Sequence, residues 1–384
     1  MTFYSSVVRL AAHFFGRYRS EILRAASVRL CGERTQTQLF TIFPHSTVAK
    51  ILLPAAALFA VMWAVLPAAA GNTLSQIKSR GTLLCGVSQG IAGFSTQDAS
   101  GHWSGLEVDF CRAVAVAVFG DAKKVTFVPL RASERFPALK SNMIDLLART
   151  TAWTLSREAS LKVHFPGILF YDGQSFMVPA AGGVKSVRQL NGATICVEKG
   201  TTHERNLTDH FTAQGLSVKP LVIDSATEVA DALFSGRCKA YTSDVSHLAA
   251  ARLRAPAGKT FNIFPERISK EPLGPVVRSG DDDWSTLVRW VLFALIAAEE
   301  QGITRDNVRE NTRLPDLRRA LGADEGFGPM LGTDSNWALH AVESVGNYGE
   351  MFERNLGIHS PLHLDRGLNR LWTQGGLMYA PPFR

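Results

Sequence analysis

The clearest periodic segment runs from Leu106 to Phe119, where Phe110, Ala113, Val114, Ala117 and Val118 recur every three or four residues and predict an amphipathic helix. Short β-branched runs flank it: Thr82 to Val87 and Lys124 to Pro129 each predict a strand. Ser133 to Ser141 predicts the next helix. Asn142, which accepts a left-handed C-cap, should stop it, and Ile144 to Ala148 should then run as a strand into a threonine-rich turn.

The same alternation returns after the loose Pro-Ala-Ala-Gly-Gly stretch at 179–183. Ala193 to Val197 predicts a strand, Gly200-Thr201-Thr202 a turn, and His203 to Gln214 a helix whose start carries a capping box of Thr201 with Glu204. A helix from Ala226 to Ser235 should end at Gly236, followed by a strand from Lys239 to Thr242 that reaches Ser243 and Asp244. KSNMIDLLART and FSGRCKAYTSD therefore share one plan of helix, Gly or Asn stop, strand and polar turn. Strands alternating with helices predict an α/β chain with mostly parallel sheets.

The first seventy residues belong to another regime. They hold seven Lys/Arg against two Asp/Glu, then the uncharged block Ile51 to Ala70, which is short, punctuated by Pro and ends in Ala68-Ala69-Ala70. That order reads as a secretory signal with cleavage near Ala70, the alternative being a retained anchor. Translation beginning near Val48 would account for the long basic stretch. The segment supplies five of the whole chain's +7, so only +2 belongs to the rest and the basic balance does not point to nucleic acid. About 314 residues follow, enough for two cored domains, and none of their segments is long and apolar enough to span a membrane. The exported product is expected to be soluble.

Four cysteines lie beyond the leader: Cys85, Cys111, Cys196 and Cys238. An even count in an exported chain suggests disulfides, and nearest pairing would close loops of 26 and 42 residues, each worth about 3 to 4 kcal/mol in the chain-entropy model. Zinc is the competing reading, disfavoured because no C-x-x-C and no paired histidine spacing is present.

Candidate chemistry concentrates in Ala148 to Glu158. Arg157 is a permanent cation whose fork matches a carboxylate, and Thr150, Thr151 and Thr154 can add hydroxyl bonds. The plainer reading is that Thr154 caps a short helix and Arg157 is solvated. Ligands of open α/β sheets sit at strand carboxyl ends. Two lobes built this way would set Arg157 and the hydroxyls against Thr201, Thr202 and Asp244, a pairing complementary to an α-amino acid. Thr201 and Asp244 are also candidate helix caps, a role that can coexist with ligand contact.

The chain from about Asn72 to Arg384 resembles the periplasmic amino-acid-binding proteins that serve ABC importers, and within them the general L-amino-acid-binding subgroup. The likeness rests on Gly101 to Ala115, Glu134 to Leu139, Thr151 to Arg157, Tyr171 to Val178, Gly200 to Thr202, Ser269 to Pro275, Gly346 to Glu350 and the tail from Tyr379 to Arg384. It implies a two-lobed, type II binding-protein fold with two hinge crossings and a ligand cleft between the lobes. After a leader over 1–70, lobe one would comprise 71–177 plus 278–384 and lobe two 178–277, with FMVP and PLGPVV as the crossings. It also supports pairing Cys85 with Cys111 and Cys196 with Cys238. By the resemblance Arg157 takes the α-carboxylate with a threonine of the Gly200 turn, Asp244 takes the ammonium, and Ser88 and Ile91 contact the ligand side chain. An uncharged Ser88 favours a broad pocket. Ala152 departs from the pattern, since relatives usually carry a hydroxyl there; a lost hydrogen bond to a charged group costs roughly 1.5 to 3 kcal/mol.

The implied function is capture of free L-amino acids in the periplasm by a monomer that delivers them to membrane permease subunits, with no cofactor, metal or catalytic residue. Two alternatives use the same fold: a periplasmic dehydratase-like enzyme, for which Glu198 and Lys199 are the nearest acid-base candidates, and a module that docks on a receptor for signalling. His102, His203 and His247 show no ligand spacing and read as solvated or packed. Tyr171, Phe176 and Met177 read as core near the hinge, and Trp103 and Trp284 as lobe anchors. Asp281 to Asp283 reads as the acidic first turn of a long helix rather than a calcium loop.

Overall fold

The computed structural model describes residues 73–311, 318 and 326–383. The expected signal peptide and its cleavage point, and Arg384 of the matching tail, lie outside the described residues. None of the helices described is long and apolar enough to cross a membrane.

Helix α1 (Thr73–Arg80) leads into β1 (Leu83–Ser88). A small ribbon of β2 (Thr96–Gln97) and β3 (Trp103–Ser104) precedes α2 (Leu106–Phe119). Then come β4 (Val125–Leu130), α3 (Arg135–Lys140), β5 (Leu146–Ala152), α4 (Leu155–Leu161), β6 (Val163–His164) and β7 (Phe170–Asp172). α2 lies where the periodicity placed it, and Phe110, Ala113, Val114 and Ala117 are buried as expected, but burial reaches around most of the helix, taking in Val108, Cys111, Ala115 and Val116, while Val118 is half-buried. Asn142 does take the left-handed conformation, at φ 60°. The strand after it runs further than expected, so Thr150, Thr151 and Ala152 belong to β5 instead of a turn. The reason is a partner strand, since Thr151 and Ala152 pair with Gly274 and Leu273.

The middle of the chain builds a second sheet from β8 (Gln174–Pro179), β9 (Thr194–Glu198), β10 (Lys219–Ile223), β11 (Ala240–Asp244) and β12 (Phe261–Ile263). It carries α5 (His203–Ala213), α6 (Ala226–Phe234) and α7 (Val245–Arg252). Then β13 (Glu271–Arg278) returns to the first sheet, followed by α8 (Asp282–Glu300), α9 (Trp337–Val345) and α10 (Tyr348–Asn355).

The first sheet has the order β4-β1-β5-β13-β6, with β7 also on β13, and the second β10-β9-β11-β8-β12. β1 runs parallel to β4 and β5, and β9 parallel to β10 and β11, whereas β13 and β8 enter antiparallel. The antiparallel strands mark where the chain changes sheet. It passes at Gly173, between β7 and β8, and again between β12 and β13. The boundaries expected at 177/178 and 277/278 thus fall inside or at the end of strands: FMVP lies in the second sheet and PLGPVV in the first. The crossings sit four to seven residues earlier because the β13 ladder to β7 begins at Glu271.

Each sheet has its own core. The largest cluster joins β1, α2, β5, α8, α9 and α10, and smaller ones flank the second sheet. Cys85 is bonded to Cys111, tying β1 to α2, and Cys196 to Cys238, tying β9 to the approach to β11. Trp284 is fully buried and its indole donates to the Asp145 carbonyl at 3.1 Å, while Asp281 caps α8 by accepting from the Trp284 amide at 3.1 Å.

Candidate functional site

The carboxyl ends of β1, β5, β9 and β11 carry Ser88, Ala152, Glu198 and Asp244, which brings nearly all the candidate residues to one cleft. α4 starts at Thr154, whose hydroxyl accepts from the Arg157 amide at 3.3 Å; Thr154 is a helix cap, as its plainer reading had it. That cap turns the Arg157 guanidinium inward. Arg157 is buried, donates from Nη1 to the Ala152 carbonyl at 2.8 Å, and lies over the Phe136 ring at 5.4 Å. Burial pulls its pKa down to about 10, with Glu271 and Asp244 acting in the other direction, so it remains a cation at neutral pH.

Two further guanidinium groups share this wall. Arg135 is almost fully buried and reaches the Thr151 hydroxyl at 3.3 Å and, from Nη2, the Gly200 carbonyl of the opposite lobe at 2.8 Å. Arg149 donates to the Leu130 carbonyl at 2.9 Å and pairs with Glu198, also across the cleft, at 2.9 Å. Ser133 on one lobe donates to Asp224 on the other at 2.7 Å. Gly200 permits this approach: at φ 78°, any Cβ would stand 3.0 Å from the Ser133 backbone.

The opposite wall is acidic. Asp244 ends β11 and precedes α7 but makes no side-chain cap; its Oδ1 lies 3.0 Å from His203 Nε2, and Oδ2 lies 3.9 Å from His247 Nδ1. Burial alone would push Asp244 up, but the charge of His203 and its hydrogen bond, with His247 and Arg135, hold it below the usual value. For His203, burial opposes the charged form and Asp244 outweighs it, so its pKa is raised. Burial pulls His247 down to about 4. Asp172 is pushed up to about 7 by burial and by Asp244 beside it.

Thr201 and Thr202 are present in this cleft with their hydroxyls turned to the protein. Thr201 donates to the Glu198 carbonyl at 2.7 Å and Thr202 to Glu271 at 2.9 Å. The expected capping box therefore does not form: Glu204 reaches back to the Gly200 amide at 2.6 Å, but the helix N-cap is Thr202, without a side-chain cap bond. Thr151 donates to the Arg149 carbonyl at 2.8 Å. Thr150 takes φ 35°, its amide donates to Glu107, and its buried hydroxyl has no partner among the described residues. Ser88 and Ile91 line a cavity of about 120 Å³ with Arg149, Glu198 and Asp224.

His203, Asp244 and Glu271 place their ligand atoms within 4.8 Å of one another, the one group among the described residues with spacing fit for a cation. Glu271 is engaged by Thr202, Asn206 and Ser269 at 2.9, 2.8 and 2.7 Å. The two carboxylates suit an ammonium group, and His203, whose Nε2 faces Asp244, backs them. Arg135, Arg149, Glu198, His203 and Glu271 were missed as binding candidates, since each becomes meaningful only when two distant strand ends meet.

Residues 83–305 match the sequence profile of the bacterial extracellular solute-binding proteins, family 3, and the chain belongs to that family. It is similar to the general L-amino acid-binding periplasmic protein AapJ of Rhizobium johnstonii, with 50% identity over 337 residues, 87% of this chain and 99% of that one. The glutamate/glutamine/aspartate/asparagine-binding protein BztA of Rhodobacter capsulatus is 48% identical over 320 residues, 83% of this chain and 95% of that one. Among solved structures, an ABC transporter periplasmic binding protein from Brucella ovis with glutathione bound aligns at a TM-score of 0.79. It shares 48% identity, covering 82% of this chain and all of that one.

Proposed function

We propose that this family 3 solute-binding protein captures free L-amino acids with broad specificity in the periplasm and delivers them to the permease subunits of a membrane ABC importer. The observation that carries the reading is the convergence of Arg157, in the first turn of α4, and Asp244, at the end of β11, both buried and of opposite charge, on facing lobes. A zwitterion presents the complementary pair. Its carboxylate meets Arg157, with Thr150 supplying a free hydroxyl, Thr151 buried behind it, and Thr201 and Thr202 at the rim, and its ammonium meets Asp244. Each charge-assisted bond is stronger than a neutral one and works in a water-poor cleft. Ser88 and Ile91 face the side chain. The glutathione bound by the Brucella relative fits the same logic, because its γ-glutamyl end keeps a free α-amino acid head.

Lobe one is taken as the segments before Gly173 and from Glu271 on, and lobe two as the segment between. Closure is a rotation about the two crossings, and the Arg135–Gly200 and Ser133–Asp224 bonds form as the walls meet. The chain works as an exported monomer without catalysis. Glu198, the nearest acid-base candidate, is buried against Arg149 instead of being free over a substrate.

Titration calorimetry with a panel of L-amino acids tests the reading. Arg157→Ala and Asp244→Ala should each weaken capture at least a hundredfold; unchanged capture in either variant would overturn it. Mass spectrometry of ligand retained through purification should find an unmodified amino acid, whereas a turned-over product would favour an enzyme.

A further inference from the structure

We propose that Arg149 and Glu198 together form a two-signed receptor for the ligand side chain, through which one pocket takes acidic, basic and uncharged L-amino acids. This rests on the capture function above and assigns the part of the site that reads the side chain. Arg149 stands on β5 three residues before Ala152, and Glu198 ends β9 two residues before Gly200. The two groups therefore lie next to the Arg157 and Gly200 positions that hold the α-carboxylate. With Ser88, Ile91 and Asp224 they line the cavity of about 120 Å³, the place where a side chain would project.

Both groups are almost fully buried, their side chains 3% and 2% exposed, and they meet through one nitrogen and one oxygen at 2.9 Å. A guanidinium has five N–H donors in a fixed fork. Arg149 uses Nε on the Leu130 carbonyl and Nη2 on Glu198, so it can hold a second carboxylate without releasing the first. A carboxylate has two oxygens and about four acceptor sites, so Glu198 can likewise accept an ammonium or guanidinium while still bound to Arg149. The Leu130 bond fixes Arg149 in place, which lowers the entropy lost when a ligand docks. For an apolar side chain the pair stays closed on itself, its charges mutually compensated, and Ile91 provides contact. A pocket carrying only one of the two charges would reject side chains of the same sign, because an unpaired buried charge costs several kcal/mol.

The test measures affinities of L-glutamate, L-arginine and L-leucine for the wild type, Arg149→Gln, Glu198→Gln and the double variant. Arg149→Gln should lower the glutamate-to-leucine affinity ratio at least tenfold. Glu198→Gln should lower the arginine-to-leucine ratio at least tenfold. The double variant has no buried charge left unpaired and should lose both ratios, so it decides the matter if a single variant fails to fold. Ratios unchanged within about threefold would overturn the proposal, since a merely structural pair would shift all three ligands alike. A wild-type protein that binds none of the three overturns the capture function itself, and does so before any variant is made.

Discussion

His203 Nε2 lies 3.0 Å from Asp244 Oδ1, both side chains being buried, so the carboxylate proposed to receive the ligand ammonium already has a titratable partner at its back. A protonated His203 offsets part of the Asp244 charge. Its raised pKa extends that offset above the ordinary histidine value of about 6.5. Amino-acid affinity should therefore rise as pH climbs past 6.5 and His203 loses its proton. In His203→Gln that rise should flatten, with an overall change of about tenfold or less at pH 7. Calorimetric titration from pH 5.5 to 8.5 checks both; a wild-type profile flat across this range would contradict the coupling.

Glu107 is buried at the start of α2, where the Thr150 amide donates to Oε1 and Oε2 has no partner among the described residues. Burial pushes it up to about 7, against its ordinary value of 4.5. The unfolded chain thus gives up this proton first, and the stability the group contributes is present below about pH 4.5 and declines as pH rises to about 7. Glu107→Gln keeps the acceptor for Thr150 and removes the charge. Its stability should match wild type at about pH 4 and exceed it by roughly 3 kcal/mol at pH 8, as read by urea denaturation.

Gly200 sits at φ 78°, and a Cβ there would meet the Ser133 backbone of the facing lobe at 3.0 Å; Gly236, at φ 81°, has nothing within 4 Å. Gly200→Ala and Gly236→Ala bear similar backbone strain, of order 1 kcal/mol. Only the former should weaken amino-acid binding, by about tenfold, because it also props the walls apart. Equal affinities in the two variants would show that the contact is not part of closure.

Ala152 is buried, and its carbonyl anchors Arg157. Ala152→Thr supplies the hydroxyl that the resemblance leads one to expect here and should raise affinity by about tenfold or more, the scale of a charge-assisted bond of roughly 1.5 to 3 kcal/mol. No gain in calorimetry would count against a hydroxyl being needed there.

Cys85–Cys111 and Cys196–Cys238 close loops of 26 and 42 residues. Replacing either pair by alanine should cost about 3 to 4 kcal/mol in the chain-entropy model. The urea midpoint of each double variant, compared with wild type under oxidising conditions, measures it.

Local order was largely legible along the chain. α2 could be read from Phe110, Ala113, Val114 and Ala117 because they recur at helical spacing, although the helix is buried around most of its circumference, and Asn142 marked its own stop because few side chains tolerate that conformation. The threonines misled, since a strand that finds an antiparallel neighbour as distant as Gly274 keeps going where local composition suggests a turn. Arg157 and Asp244 stood out because each closes a motif. Arg149 and Glu198 did not, as a buried ion pair separated by 49 residues leaves no local pattern.

β13 lies between β5 and β6 in the first sheet, whereas the second sheet is complete within one unbroken stretch of chain. A polypeptide threaded out N-terminus first thus presents β1, β4 and β5 long before the strand that finishes their sheet, and α9 must still arrive to cover α2. The later-emerging half can mature alone. Its partner stays incomplete until β13 and α9 have been made, so its folding is tied to the far end of the chain.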